Sequence, residues 1–123
     1  MSKNEFLTAE MLLEKKNIIE KTRNGDVFES EFLDAKISIK RLPLEEVYEI
    51  MQDESKSSFK KQCELVYMSC DCFRDKKLMD EFEVKEPYDI VGAIYSNNAV
   101  EFSKLTEKIL SLYGFGVETD IKK

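Results

Sequence analysis

Histidine and tryptophan are absent from this chain of 123 residues, and glycine and proline are scarce, at four and two. Without histidine the commonest general acid–base group is missing, together with any Ser–His or Cys–His nucleophile pair. Carboxylate and lysine chemistry stay open. The glycines, Gly25, Gly92, Gly114 and Gly116, form neither GxGxxG nor GxxxxGK[ST], so no phosphate cradle is written into the sequence. No run approaches the about 20 apolar residues of a membrane span, and Met1-Ser2-Lys3-Asn4-Glu5 has no apolar signal core. Clustered positive charge is lacking too. The longest basic runs are pairs such as Lys15-Lys16 and Lys76-Lys77, and the net charge is -6. It divides evenly: 10 basic against 13 acidic residues through Lys60, then 9 against 12. Neutralising phosphates takes a basic surface, so nucleic acid is disfavoured as a partner, and so is a membrane.

What is present is ordinary globular material, 42% apolar and 36% charged. A chain of this size buries roughly two-thirds of its unfolded surface, enough for one core. A single domain over 1–123 is expected, with 1–7 and 117–123 as flexible ends. Cys63, Cys70 and Cys72 are an odd number without a disulfide framework, which fits reduced thiols in a cytoplasm.

Periodicity predicts a mainly α domain (α+β) of about five to six helices, with a small β-hairpin near the N-terminus. A first helix should start at Thr8 as N-cap and run to about Lys21, with Met11, Leu12, Ile18 and Ile19 on one side and Gly25 as its stop. Alternation then takes over. Phe28 and Phe32 flank Ser30, and Ile37 and Ile39 alternate with lysine and serine, as in two strands joined around Asp34-Ala35. Pro43 suits a helix start, and Leu44, Val47, Tyr48 and Met51 form an amphipathic stripe. Asp53 to Ser58 reads as a loop. The most apolar helix, about Ser58 to Phe73, has one stripe of Phe59, Cys63, Val66, Tyr67, Cys70 and Phe73. A second stripe of Leu65, Met68 and Cys72 makes it the expected central helix. Asp75 should cap a short helix turning Leu78, Met79 and Phe82 inward. Pro87 should open another, buried through Tyr88, Val91, Ile94 and Tyr95 and broken at Asn97-Asn98. Asn98 and Glu101 have capping-box spacing before the last helix, which carries Phe102, Leu105, Ile109 and Leu112. Gly114 should stop it, with Phe115 folding back.

Candidate chemistry is thin. Zinc wants four ligands, commonly in paired short spacings, whereas these cysteines leave six- and one-residue gaps with no histidine to complete a set. Core packing is the better account of Cys63 and Cys70. Asp71 and Asp75 stand at i and i+4, and Asp80, Glu81 and Glu83 cluster after them. Nothing places such carboxylates across a cleft, as a two-carboxylate hydrolase requires. No catalytic residue, cofactor or metal is expected. Gly92 inside a helix is best explained by close helix packing.

The segments Cys63-Glu64-Leu65-Val66-Tyr67-Met68-Ser69-Cys70, Phe73-Arg74-Asp75 leading into Leu78-Met79, and Pro87-Tyr88-Asp89-Ile90-Val91 follow one another in a distinctive order. The chain then closes with Glu101-Phe102-Ser103-Lys104-Leu105, Ile109 and Leu112-Tyr113-Gly114-Phe115. Upstream lie Phe6-Leu7 and Ile39-Lys40-Arg41-Leu42-Pro43-Leu44-Glu45-Glu46, a basic-x-Leu step into a helix. From about Phe6 to Phe115 this order resembles the XkdN-like family of phage tail assembly chaperones, found in prophages and phage-tail-like particles of Gram-positive bacteria. It departs from that family at Ser96-Asn97-Asn98, where an apolar-Pro-Gly connection would be expected. The resemblance implies a non-catalytic protein that coats the tape measure protein, keeps it soluble and helps recruit tail tube protein subunits. It also implies absence from the finished virion, and in many such phages a longer frameshifted form. Repeated copies along a rod would suggest self-association. The alternative is a small helical protein-binding adaptor or inhibitor from a prophage or other mobile element. The candidate partner-binding residues are Phe6 and Leu7, outside the first capped helix, and Phe102, Leu105, Ile109 and Leu112 on the last helix, which could equally be core.

Overall fold

The computed structural model describes residues 6–21 and 25–115. Among these, seven α-helices and a two-stranded antiparallel hairpin make a mainly helical fold, as the sequence pattern predicts. The expected flexible ends at 1–7 and 117–123 fall outside the described residues except for Phe6 and Leu7, as does the chain from 22 to 24 between the first helical segment and the hairpin.

The first helix is two. α1 (Ala9–Glu14) is capped by Thr8, whose Oγ1 accepts from the Met11 N–H at 3.2 Å, and α2 (Lys16–Lys21) follows a break at Lys15. Lys15 turns to φ -95 and ψ 10, so the continuous helix expected from Thr8 to Lys21 is interrupted there. No side chain of α1 is buried.

β1 (Asp26–Ser30) and β2 (Ala35–Ile39) pair with Phe28 opposite Ile37 and Ser30 opposite Ala35. Residues two apart share a face, so Phe28, Ile37 and Ile39 turn together toward the helices. The turn spans Glu31 to Asp34, with Asp34 in the left-handed region at φ 53. Phe32 therefore lies in the turn and does not continue the alternation. Ser30 Oγ accepts from the Leu33 N–H at 2.9 Å, which bends the chain out of the strand. The helix stop expected at Gly25 falls on the join to residues 22–24, outside the described residues, but the strand that follows sets its own demand. A Cβ at Gly25 would collide with the Ile39 carbonyl, so only glycine admits the last strand pair.

α3 (Leu44–Met51) begins after Pro43, at φ -56. Val47 and Ile50 are its buried residues, whereas Leu44 and Tyr48 are exposed. The helix is thus rotated about one position from the stripe its spacing suggests. α4 (Ser58–Ser69) is central, as expected, and packs against α3, α6 and α7. It ends earlier than predicted. Cys70 is extended (φ -123, ψ 100) and a 3-10 turn covers Asp71–Phe73, which sends Cys72 outward while Cys70 and Phe73 stay inside. This exit lets the Lys40 N–H of the strand end bond the Ser69 carbonyl at 2.8 Å.

α5 (Lys76–Phe82) is capped by Asp75, which accepts from the Leu78 N–H at 2.9 Å. Leu78 and Met79 pack against the core, but Phe82, expected inside, is exposed. α6 (Asp89–Ile94) starts two residues after Pro87 and buries Ile90 and Val91. A Cβ on Gly92 would lie 3.1 Å from the Phe59 ring and 3.5 Å from Cys63 Sγ, so close packing does account for this glycine. α7 (Ala99–Ser111) is capped by Asn98, which accepts from the Glu101 N–H at 3.1 Å. Its far end closes with Gly114 at φ 87, the Phe115 N–H on the Leu110 carbonyl (3.2 Å) and the Gly114 N–H on Ser111 (3.1 Å). These are the two bonds of a Schellman motif.

Candidate protein-binding surfaces

Three of the six sequence candidates, Phe102, Leu105 and Ile109, lie on α7 and are interior, and a fourth, Leu112, is its C-cap. Leu105 and Ile109 are fully buried, and Phe102 sits between Phe59 (ring centroids 5.4 Å) and Tyr95 (6.1 Å). They hold α7 to the body, and a partner cannot reach them without unfolding it. Leu112 is half-buried, and its carbonyl accepts from the Arg41 guanidinium. Arg41 also stacks over the Tyr113 ring at 4.6 Å, and the Tyr113 hydroxyl accepts from the Leu42 N–H at 2.7 Å. The basic-x-Leu step thus closes the negative end of α7.

The start of α7 is held by a buried carboxylate. Glu101, 8% exposed, accepts from Ser30 Oγ (2.6 Å), the Tyr95 hydroxyl (2.7 Å) and the Phe32 N–H (3.1 Å). Its side chain does not return to Asn98, so only half of the expected capping box forms. Burial pushes the Glu101 carboxyl up, but the bonds from Ser30, Tyr95 and the Phe32 and Glu31 backbone outweigh it and hold it below its ordinary value. A carboxylate kept charged by neutral donors at a helix N-terminus fastens hairpin, α6 and α7 together. The sequence pattern offered Glu101 only as a capping-box partner, because two of its three partners lie 69 and 71 residues away.

The other chemical candidates also have structural work. Burial pushes the thiols of Cys63 and Cys70 up, to about 11 and about 12, which leaves them protonated and inert at neutral pH. Asp71 pairs with Lys40 at 3.1 Å, and Asp75 is a helix cap. Lys56 bridges Asp53 (2.8 Å) and Glu64 (3.2 Å), which pins the 53–57 loop to α4. The hydrogen bonds from Lys56 and Ser55 hold the Asp53 carboxyl far below its usual range.

Phe6 and Leu7, the remaining candidates, are exposed at 91% and 65%. They begin a longer apolar surface. Leu12, Leu13 and Ile18 are exposed as well, Leu13 at 72%. Six-residue helices hold their form poorly without tertiary packing, and an apolar surface beyond a few hundred Å² on a monomer marks a place where something else sits. Met11, Leu12, Ile18 and Ile19, expected on one side of a single helix, belong to this arm (6–21).

No family model, curated protein or solved structure matches this chain.

Two further surfaces lie on the body. One is a mixed rim between the hairpin turn and the start of α7, where Phe28, Phe32 and Val100 stand among Glu29, Glu31, Asn98, Glu101 and Lys104. Val100 is 67% exposed. The Phe32 ring stands 5.8 Å from Tyr95, so this rim rests on the rings that clasp Glu101. The other is an almost wholly apolar groove between α3 and the end of α7, lined by Tyr48, Met51, Gln52, Leu110 and Phe115. Phe115 meets Tyr48 edge-on at 6.0 Å. Sequence reasoning missed the groove because it placed Tyr48 inside and judged Phe115 only as a helix end. Among the described residues no helix is long and apolar enough to cross a membrane.

Proposed function

We propose that this chain is a tail assembly chaperone of a tailed phage, a prophage or a tail-like particle. It acts in the host cytoplasm by covering the tape measure protein until tail tube subunits enclose it, without catalysis. The reading rests on the family resemblance of the sequence, and one structural observation supports it: large apolar side chains are left uncovered on an N-terminal arm and on a rim of the body. The interior, by contrast, is closed around α4. Uncovered apolar side chains on a well-packed body are what a protein that holds other proteins needs. A long helical rod exposes apolar stripes of matching character before its tube forms, and the acidic surface helps keep the assembly in solution.

Co-expression tests the reading. The client is the long, helix-rich protein encoded next to this chain on its genome. Its soluble fraction should rise several-fold when this chain is present. Equal insolubility with and without the chain would remove the proposal's main support.

A further inference from the structure

We draw no further inference here: the strongest candidate, the apolar groove between α3 and the end of α7 with Tyr48, Met51, Leu110 and Phe115 on its walls, is lined by no charged residue, and nothing in the structure shows what covers it.

Discussion

The arm from Phe6 to Lys21 and the body from Gly25 to Phe115 are built from similar residues to opposite effect. Both start helices on side-chain caps, Thr8 in the arm and Ser57, Asp75 and Asn98 in the body, with leucines and isoleucines at helical spacing. In the body these side chains close around α4, where Leu65, Val66, Ile90, Val91, Leu105 and Ile109 lose all contact with solvent. In the arm the same residue types remain in water, on helices of six residues joined at a break. Amphipathic spacing, then, states that a face must be covered and leaves open by what. Burial within the chain makes the body; in the arm that burial is missing, which is why the proposed function gives it to a partner.

Substitutions on the two sides of this divide should separate by their effect on stability. Leu105→Ala removes a fully buried side chain at the contact of α7 with α4 and should lower the unfolding free energy by about 2–5 kcal/mol, read from the urea midpoint. Glu101→Gln comes next. It removes the charge that Ser30, Tyr95 and the Phe32 N–H donate to, and should cost about 1–3 kcal/mol at neutral pH. Its pH dependence has a definite sign. The folded carboxyl lies below its unfolded value, so its stabilisation is complete above the unfolded value and is lost as pH falls through the folded one. The gap between natural chain and variant should therefore narrow in strong acid. A constant gap would mean that shape rather than charge holds the hairpin.

Gly114→Ala should cost less, about 1 kcal/mol, because only the positive φ of the Schellman turn opposes a side chain and no atom lies in its way. The smallest effect should come from the arm. Leu13→Ser should change the unfolding free energy by no more than about 0.5 kcal/mol while weakening capture of a protein partner in a pull-down. A large loss of stability from Leu13→Ser would erase the distinction between arm and body.

Local signals in the sequence were reliable where the structure is local. Thr8, Asp75 and Asn98 cap the helices that their residue types announce, and Gly114 with Phe115 closes α7. Phe102, Leu105 and Ile109 share one face by spacing alone. What spacing could not supply was the rotation of that face against its neighbours. On α3 it named Leu44, Val47, Tyr48 and Met51, whereas the fold buries Val47 with Ile50 and leaves Leu44 and Tyr48 exposed. The break at Lys15 has no glycine or proline to mark it. The clasp on Glu101 and the Arg41 bond to the Leu112 carbonyl join residues about seventy positions apart, and no periodicity reports such pairings. The candidate surfaces divided the same way. The exposure of Phe6 and Leu7 was legible because they precede a cap, while the α3–α7 groove exists only once two distant helices have met.

Amide hydrogen exchange tests the central claim most directly: that the arm's apolar face is left open by its own chain and closed by protein. In dilute solution the amides of residues 9–20 should exchange far faster than those of α4 and α7, and binding of the tape measure protein should protect them while the body stays unchanged. An arm as protected as α4 in the dilute chain alone, or one still unprotected in the complex, would contradict the account.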